Sequence, residues 1–260
     1  MRYTRIVAFA LLLGITGCAT YYNPTTGKQE RTLYSEQDET DLGKAANEKI
    51  RREYKVLANP DAYYPGFSRI CSRIAAQSGR PNFAYSFGII EKNEINAFSL
   101  PGGYIYVYTG LLAKIKNDSE LAGIIGHELS HIEARDALRQ MQAVTIYTIP
   151  SQILFGSGRQ QAIQKVVDTS FSLSLLRYSR KDELRADTDG ARYAYQAGYD
   201  PAGMISFFRI LEEVERSGGA STVPVFLTDH PDTQARIKNL EAVISGLKGS
   251  SGVWKKEPAR

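Results

Sequence analysis

The sequence predicts an α+β fold, mainly helical, with one small antiparallel sheet beside a central helix, and three observations carry that prediction. From Leu111 almost to the end, apolar residues recur three and four apart, the helical period. Ahead of that region, Phe83-Ala84-Tyr85-Ser86-Phe87-Gly88-Ile89-Ile90 and Tyr104-Ile105-Tyr106-Val107-Tyr108-Thr109 are rich in aromatic and β-branched residues, as strands are. Early in the helical region lies His127-Glu128-Leu129-Ser130-His131, with two histidines one turn apart.

The chain opens with Arg2 and Arg5, an uninterrupted apolar run over residues 6–13, and then Ile15-Thr16-Gly17-Cys18. This predicts a secretory leader over residues 1–17, since the apolar run falls short of the roughly 20 residues that span a bilayer. Small residues ahead of a cysteine resemble the bacterial lipoprotein signal-peptidase site. That resemblance implies that Cys18 is the lipid-modified first residue, anchored through several acyl chains. Ala19, with no Asp there, resembles export to the outer membrane of Gram-negative bacteria, on its periplasmic face. The competing reading is an ordinary cleaved leader with a chance cysteine. Residues 18–34 have turn chemistry without a period and read as a tether.

From residue 35 to 246 the chain reads as one domain, followed by a tail over 247–260. Ser35 caps a helix expected to reach about Leu57, with Glu36, Asp38 and Glu39 in its first turns, and Asn59-Pro60 stops it. A second helix is expected over residues 65–77, ended by Ser78-Gly79, with Cys71 buried in it. Ile95-Asn96-Ala97-Phe98-Ser99-Leu100 forms a third short strand closed by Pro101-Gly102-Gly103. Residues 141–176 carry apolar positions interrupted by Gln142, Pro150, Ser151 and Gln152, so they do not span a membrane. They read either as a helical hairpin on the core or as a lid or membrane-facing flap beside a site.

Composition narrows the function classes. With 260 residues and 43 % apolar content, the chain has material for a sizeable core. The 32 basic residues outnumber the 28 acidic ones by four, and by two once Arg2 and Arg5 leave with the leader. So small an excess, without a basic run, implies no nucleic-acid partner. Cys18 and Cys71 are the only cysteines, so an acylated Cys18 leaves no internal disulfide.

The helix carrying His127 is expected to start at Asn117 or Asp118, where Asn117 and Glu120 form a capping-box-like pair. His127 and His131 then lie ~40° apart around the axis, so both imidazoles reach one ion. Glu128 stands ~60° from His131, suited to contact water at the metal and to act as acid and base rather than as ligand. A catalytic zinc also needs a third protein ligand and an open position. No third histidine follows near Ala137, and the candidate is Glu183 in Glu183-Leu184-Arg185-Ala186-Asp187. Glu183 and Asp187 share one helix face, so one can bind metal while the other accepts a hydrogen bond from a ligand histidine. Spacing alone serves an exposed acidic pair equally well.

Several blocks occur together in order: Asn96 to Leu112, the helix with His127 to His131, Tyr178-Ser179-Arg180 leading into Glu183 and Asp187, Ala197-Gly198-Tyr199-Asp200-Pro201, and Asp229-His230-Pro231-Asp232 with Arg236. In these the chain resembles the HtpX, CAAX prenyl endopeptidase and Oma-like family of zinc metalloproteases, particularly its small bacterial lipoprotein members. The resemblance implies a zincin-type domain with one zinc on His127, His131 and Glu183, Asp187 behind the ligands, and Glu128 as general base. It places His230 and Arg236 near the zinc, to stabilise the oxyanion, with His230 also able to fill the open position in a latent state. A simple helix cap ahead of Pro231 is the other reading of His230. By the same resemblance, Asn96, Ala97 and Phe98 lie on an edge strand that holds unfolded or misfolded polypeptide substrates in extended form. Arg185 departs from the family, many members of which carry a second Glu there. The competing function is a weakly catalytic or non-catalytic envelope lipoprotein with a chaperone-like or assembly role; an intact Glu128 speaks against it.

Overall fold

The computed structural model describes residues 19–80, 82–148, 159–172, 178–218, 224–230 and 233–250. The leader, Cys18 and the end of the tail therefore lie outside the described residues.

The segment read as a tether is a β-hairpin instead. Strands β1 (Ala19–Asn23) and β2 (Lys28–Thr32) pair antiparallel, Ala19 opposite Thr32. Asn23 builds the turn: its Oδ1 accepts from the Thr25 and Thr26 backbone amides, and Gly27 adopts the left-handed conformation (φ 66°) that glycine tolerates. The hairpin docks on the domain through Tyr21, whose hydroxyl donates to the carbonyl of Ala134 (3.1 Å) and whose ring lies under Arg135.

Helix α1 (Glu36–Glu53) begins as expected, with a reciprocal capping box between Ser35 and Asp38. It stops at Glu53 rather than near Leu57, because Val56 leaves to bridge Ile90. The second expected helix, over residues 65–77, is α3 (Phe67–Ala75), which starts after Gly66 (φ 85°), and a short helix that was not expected, α2 (Pro60–Tyr63), precedes it. Cys71 is buried on α3, and burial pushes its thiol pKa well up, so it is a core residue.

Strands β3 (Ser86–Ile90), β4 (Ala97–Leu100) and β5 (Tyr104–Tyr108) form a three-stranded sheet with β5 in the centre. The β4–β5 pair is antiparallel, as expected, while β3 pairs with β5 in parallel. This follows from the intervening β4, which takes the far side of β5 and becomes an edge. A 3-10 turn at Pro101–Gly103 joins β4 to β5.

After the short α4 (Thr109–Leu112), helix α5 (Asp118–Glu133) runs through the middle of the domain. Asn117 caps it, accepting from the Glu120 amide at 3.0 Å. Apart from Ser119 its residues are buried, which fits a helix that is apolar on most of its circumference. Around it stand α8 (Arg180–Gln196), α9 (Gly203–Gly218), α10 (Val225–Asp229) and α11 (Thr233–Ser250). Glycines set the approach of two of these. A Cβ on Gly190 of α8 would stand 2.7 Å from the His127 nitrogen, and one on Gly203 of α9 would meet the Ser119 carbonyl at 2.2 Å.

Helix α6 (Asp136–Thr148) runs into the stretch 141–176, and α7 (Arg159–Ser172) lies within it. Leu138, Met141, Ala162, Val166 and Val167 pack on Leu42, Ala46 and Ile50 of α1, as a hairpin on the core would. Residues 149–158 and 173–177 lie outside the described residues, and the reading of a lid or membrane-facing flap falls in part on them. Among the described residues, no helix is long and apolar enough to cross a membrane.

Candidate metal centre

Helices α5 and α8 present their site residues to one another across the glycine contact. His127, His131 and Glu183 converge, and His230, at the end of α10, joins them; one donor atom from each lies within 4.8 Å of all the others. His127 Nε2 stands 3.1 Å from His131 Nε2 and 3.5 Å from Glu183 Oε2, and His131 Nε2 is 3.5 Å from Glu183 Oε1. A tetrahedral ion about 2.1 Å from its donors sets donor–donor separations of about 3.4 Å. The separations of the three predicted ligands lie close to that value, each imidazole nitrogen facing a different oxygen of Glu183. His230 Nδ1 lies 3.2 Å from His127 Nε2 and 3.0 Å from Glu183 Oε1, at a fourth corner of the same figure.

Protonation states agree with this reading. Burial, reinforced by the Arg236 cation, holds the His127 pKa well below the ordinary imidazole value, so its Nε2 lone pair is free to bind. Burial alone would raise the Glu183 pKa, but His230 and Arg236 outweigh it and keep the carboxylate ionised. A neutral imidazole and an ionised carboxylate are the forms a metal needs. His230 responds oppositely: burial would lower its pKa, yet Glu183 beside it raises it.

Asp187 stands where the sequence reading put it. His127 donates from Nδ1 to Asp187 Oδ1 at 2.9 Å, which turns Nε2 toward the cluster. Arg236 is fully buried and grips both oxygens of Asp187, Nε to Oδ2 at 2.8 Å and Nη2 to Oδ1 at 2.6 Å. Its Nη1 meets Glu183 Oε2 and the His230 carbonyl, each at 3.0 Å. With its donors so engaged, Arg236 holds the ligands from behind, whereas the expected contact with an oxyanion requires free donors facing the substrate.

Glu128 is wholly buried, and its two oxygens differ. Oε2 accepts from the Ser99 hydroxyl at 2.8 Å, while Oε1 has no hydrogen-bond partner among the described residues and lies 3.5 Å from His230 Nε2. A buried carboxylate oxygen left unpartnered costs stability unless it has other work. Ser99 belongs to β4, so the edge strand itself holds the Glu128 carboxylate. Asn96, Ala97 and Phe98 occupy the start of that edge. Asn96 donates to Asp229 at 3.1 Å, Ala97 is buried, and Phe98 packs against Tyr106 and Tyr108.

Three contacts at the site were absent from the sequence reading. Besides Ser99, His131 donates from Nδ1 to Asp136 Oδ2 at 2.7 Å, and the Tyr178 ring stacks on His131 at 3.9 Å. Tyr178 stood in a matched block, but nothing in its spacing marked a stacking role.

Residues 65–244 match the family described as Peptidase family M48. The chain belongs to peptidase family M48. Among its relatives are a putative beta-barrel assembly-enhancing protease of Vibrio cholerae, 26 % identical over 82 % of this chain and 46 % of the relative, and two fungal and plant proteins. The latter are mitochondrial metalloendopeptidases OMA1. That of Schizosaccharomyces pombe is 29 % identical over 85 % of this chain and 65 % of its own length; that of Arabidopsis thaliana is 32 % identical over 64 % and 33 %. The chain spans about half the length of the curated relatives it matches. The Oma-like resemblance seen in the sequence thus holds at family level, and the mainly helical architecture with its His127, His131 and Glu183 cluster is of zincin type.

Proposed function

We propose that this M48 chain is a zinc-dependent metalloendopeptidase of the bacterial cell envelope, hydrolysing misfolded or unassembled envelope proteins. One observation carries the proposal: the donors of His127, His131 and Glu183 converge beside a buried Glu128 oxygen that accepts no hydrogen bond among the described residues. A purely structural metal site has no use for such an oxygen.

His127, His131 and Glu183 would hold one zinc ion, whose borderline softness suits two imidazoles and a carboxylate. When bound, zinc supplies Lewis acidity, lowering the pKa of water toward about 7 and polarising the scissile carbonyl. The chain's own groups do the rest. Glu128 Oε1 takes the proton of the attacking water and returns it to the leaving amine, while Ser99 keeps Oε2 in place. The outer edge of β4, at Asn96, Ala97 and Phe98, pairs with an extended substrate through main-chain hydrogen bonds, reading conformation more than sequence. His230 stands beside the donors of His127 and Glu183, where a substrate carbonyl must enter, so it holds a resting state that the substrate displaces.

The envelope assignment rests on the leader-like N-terminus, on Cys18 with its small preceding residues, and on the name of the Vibrio relative. Lipid at Cys18 would anchor the chain to the periplasmic face of the outer membrane. The test of the activity is hydrolysis of an unfolded polypeptide by the purified chain, with zinc content measured in parallel. Glu128→Gln is expected to keep zinc and lose turnover; substantial residual turnover refutes Glu128 as the base. Mass spectrometry of the mature N-terminus tests the anchor, and an unmodified peptide starting anywhere but Cys18 refutes it.

A further inference from the structure

The two ligand histidines are supported alike, although only one support was legible. His127 leans on Asp187, which Arg236 clamps. His131 leans on Asp136, which Arg185 and Arg139 clamp. Neither Asp136 nor Arg185 has a role in the proposed reaction.

We propose that Asp136 is the positioning residue of His131 and that Arg185 locks it to the helix carrying Glu183, so that this pair sets the affinity of the metal centre. The inference rests on the metal site proposed above. Three features support it. Asp136 is 1 % exposed, and a carboxylate so buried persists only when paired. Its partners come from both sides: His131 on α5 and Arg185 on α8, two residues beyond Glu183. Asp136, Arg185, Asp182 and Arg139 also close a ring of alternating charge. Arg185 Nη1 reaches Asp182 at 2.9 Å and Arg139 Nη2 reaches the same oxygen at 2.8 Å. The ring joins the starts of α6 and α8 beneath the metal ligands.

The backbone is bent to make this possible. Between α5 and α6, Arg135 takes a left-handed conformation, φ 55°, unfavourable for a side chain of its size. That reversal returns Asp136, only five residues along the chain, to the Nδ1 side of His131. Arg135 is itself held by Glu39 at 2.8 Å and by the Tyr21 ring at 4.2 Å. The hairpin and α1 thus fasten the turn that aims Asp136. A ligand imidazole whose Nδ1–H is so engaged presents Nε2 in a fixed direction, and removing such partners elsewhere weakens metal binding 10–100-fold.

The test uses the full chain freed of metal and titrated with Zn2+ in competition with a chelating dye. Apo-protein melting is recorded for each variant. Asp136→Asn is expected to weaken zinc binding by about 10- to 100-fold and to alter the visible spectrum of the cobalt-substituted protein. Arg185→Ala is expected to weaken it several-fold, and the double variant no further than Asp136→Asn alone, because the two act in series. Arg185→Lys, which keeps charge without the two-pronged grip, should fall between parent and Arg185→Ala and serves if the latter does not fold. Parental zinc affinity in Asp136→Asn overturns the proposal, as do single losses that simply add in the double variant. A parent that takes up no zinc overturns the metal centre itself, a result distinct from a tight parent with an equally tight Asp136→Asn.

Discussion

Gly190→Ala tests whether the metal centre depends on how closely α5 and α8 approach. The added Cβ would lie 2.7 Å from the His127 nitrogen and 3.1 Å from both the Gly126 carbonyl carbon and the His127 Cα, all backbone atoms that no rotamer change can move. Ordinary contact begins near 3.4 Å, so the helices must part by about 0.7 Å (3.4 less 2.7) or one must tilt. Overpacking of this kind costs about 1–3 kcal/mol, against a gain of up to ~1 kcal/mol from placing Ala in a helix. Donor positions tolerate about 0.2 Å before metal geometry suffers, so the 3.5 Å His127–Glu183 separation would leave its range. The expected result is a loss of about 1–2 kcal/mol in denaturant unfolding and weaker zinc binding by chelator competition. Gly246→Ala is the control: nothing lies within 4 Å of its Cβ, and it should stabilise by roughly 0.5–1 kcal/mol without touching zinc affinity. Parental stability and parental zinc affinity in Gly190→Ala would refute the argument that this contact sets the ligand geometry.

Ser99→Ala removes the hydroxyl that holds Glu128 Oε2; a hydrogen bond to a charged group is worth about 1.5–3 kcal/mol, so kcat should fall roughly 10- to 100-fold with zinc content unchanged. A parental kcat would leave Ser99 without a role in the reaction. His230→Ala is expected to raise basal turnover of an unfolded substrate by clearing the fourth corner of the ligand figure. Slower turnover at full zinc content would instead assign His230 to the carbonyl oxygen. Asp189 has its pKa raised, chiefly by burial, despite the Ser130 hydroxyl that donates to it. Its folded state thus binds a proton more readily than the unfolded state, and stability falls as pH rises from the unfolded value of about 4 through the folded pKa. Asp189→Asn should therefore be more stable than the parent at neutral pH, with the difference vanishing in acid; a difference independent of pH would refute the burial argument.

Features carried by neighbouring residues were legible. Ser35 and Asn117 cap their helices because a side chain and an amide three residues on suffice, and the three strands announce themselves by composition. The parallel pairing of β3 with β5 was not legible, since it depends on where β4 goes. The hairpin over residues 19–32 did have a signal. Tyr21 and Tyr22 precede Asn23-Pro24-Thr25-Thr26-Gly27, a strand end followed by turn residues, but the charged Lys28 to Arg31 conceals its partner strand. Gly190 carried another: a glycine in a helix interior costs stability unless something packs against it, and here that something is the backbone of the His127 helix.

The site shows the same division on a smaller scale. Asp187 was legible because it lies on the helix of Glu183, four residues on, where helical geometry alone places both on one face. Asp136 does the equivalent work for His131 but reaches it through a chain reversal at Arg135, a residue type that gives no sign of a left-handed turn. Arg185 was visible only as a departure from the family pattern, a cation where many members carry a second Glu. Its partner explains the charge: a cation at 185 balances an anion at 136, and Asp182 with Arg139 closes the balance around them. The motif residues supply the donors. Their alignment comes from α6, α8 and α11 together, each delivering a charged group to the back of a ligand, which is why His127 to His131 alone would not specify a working centre.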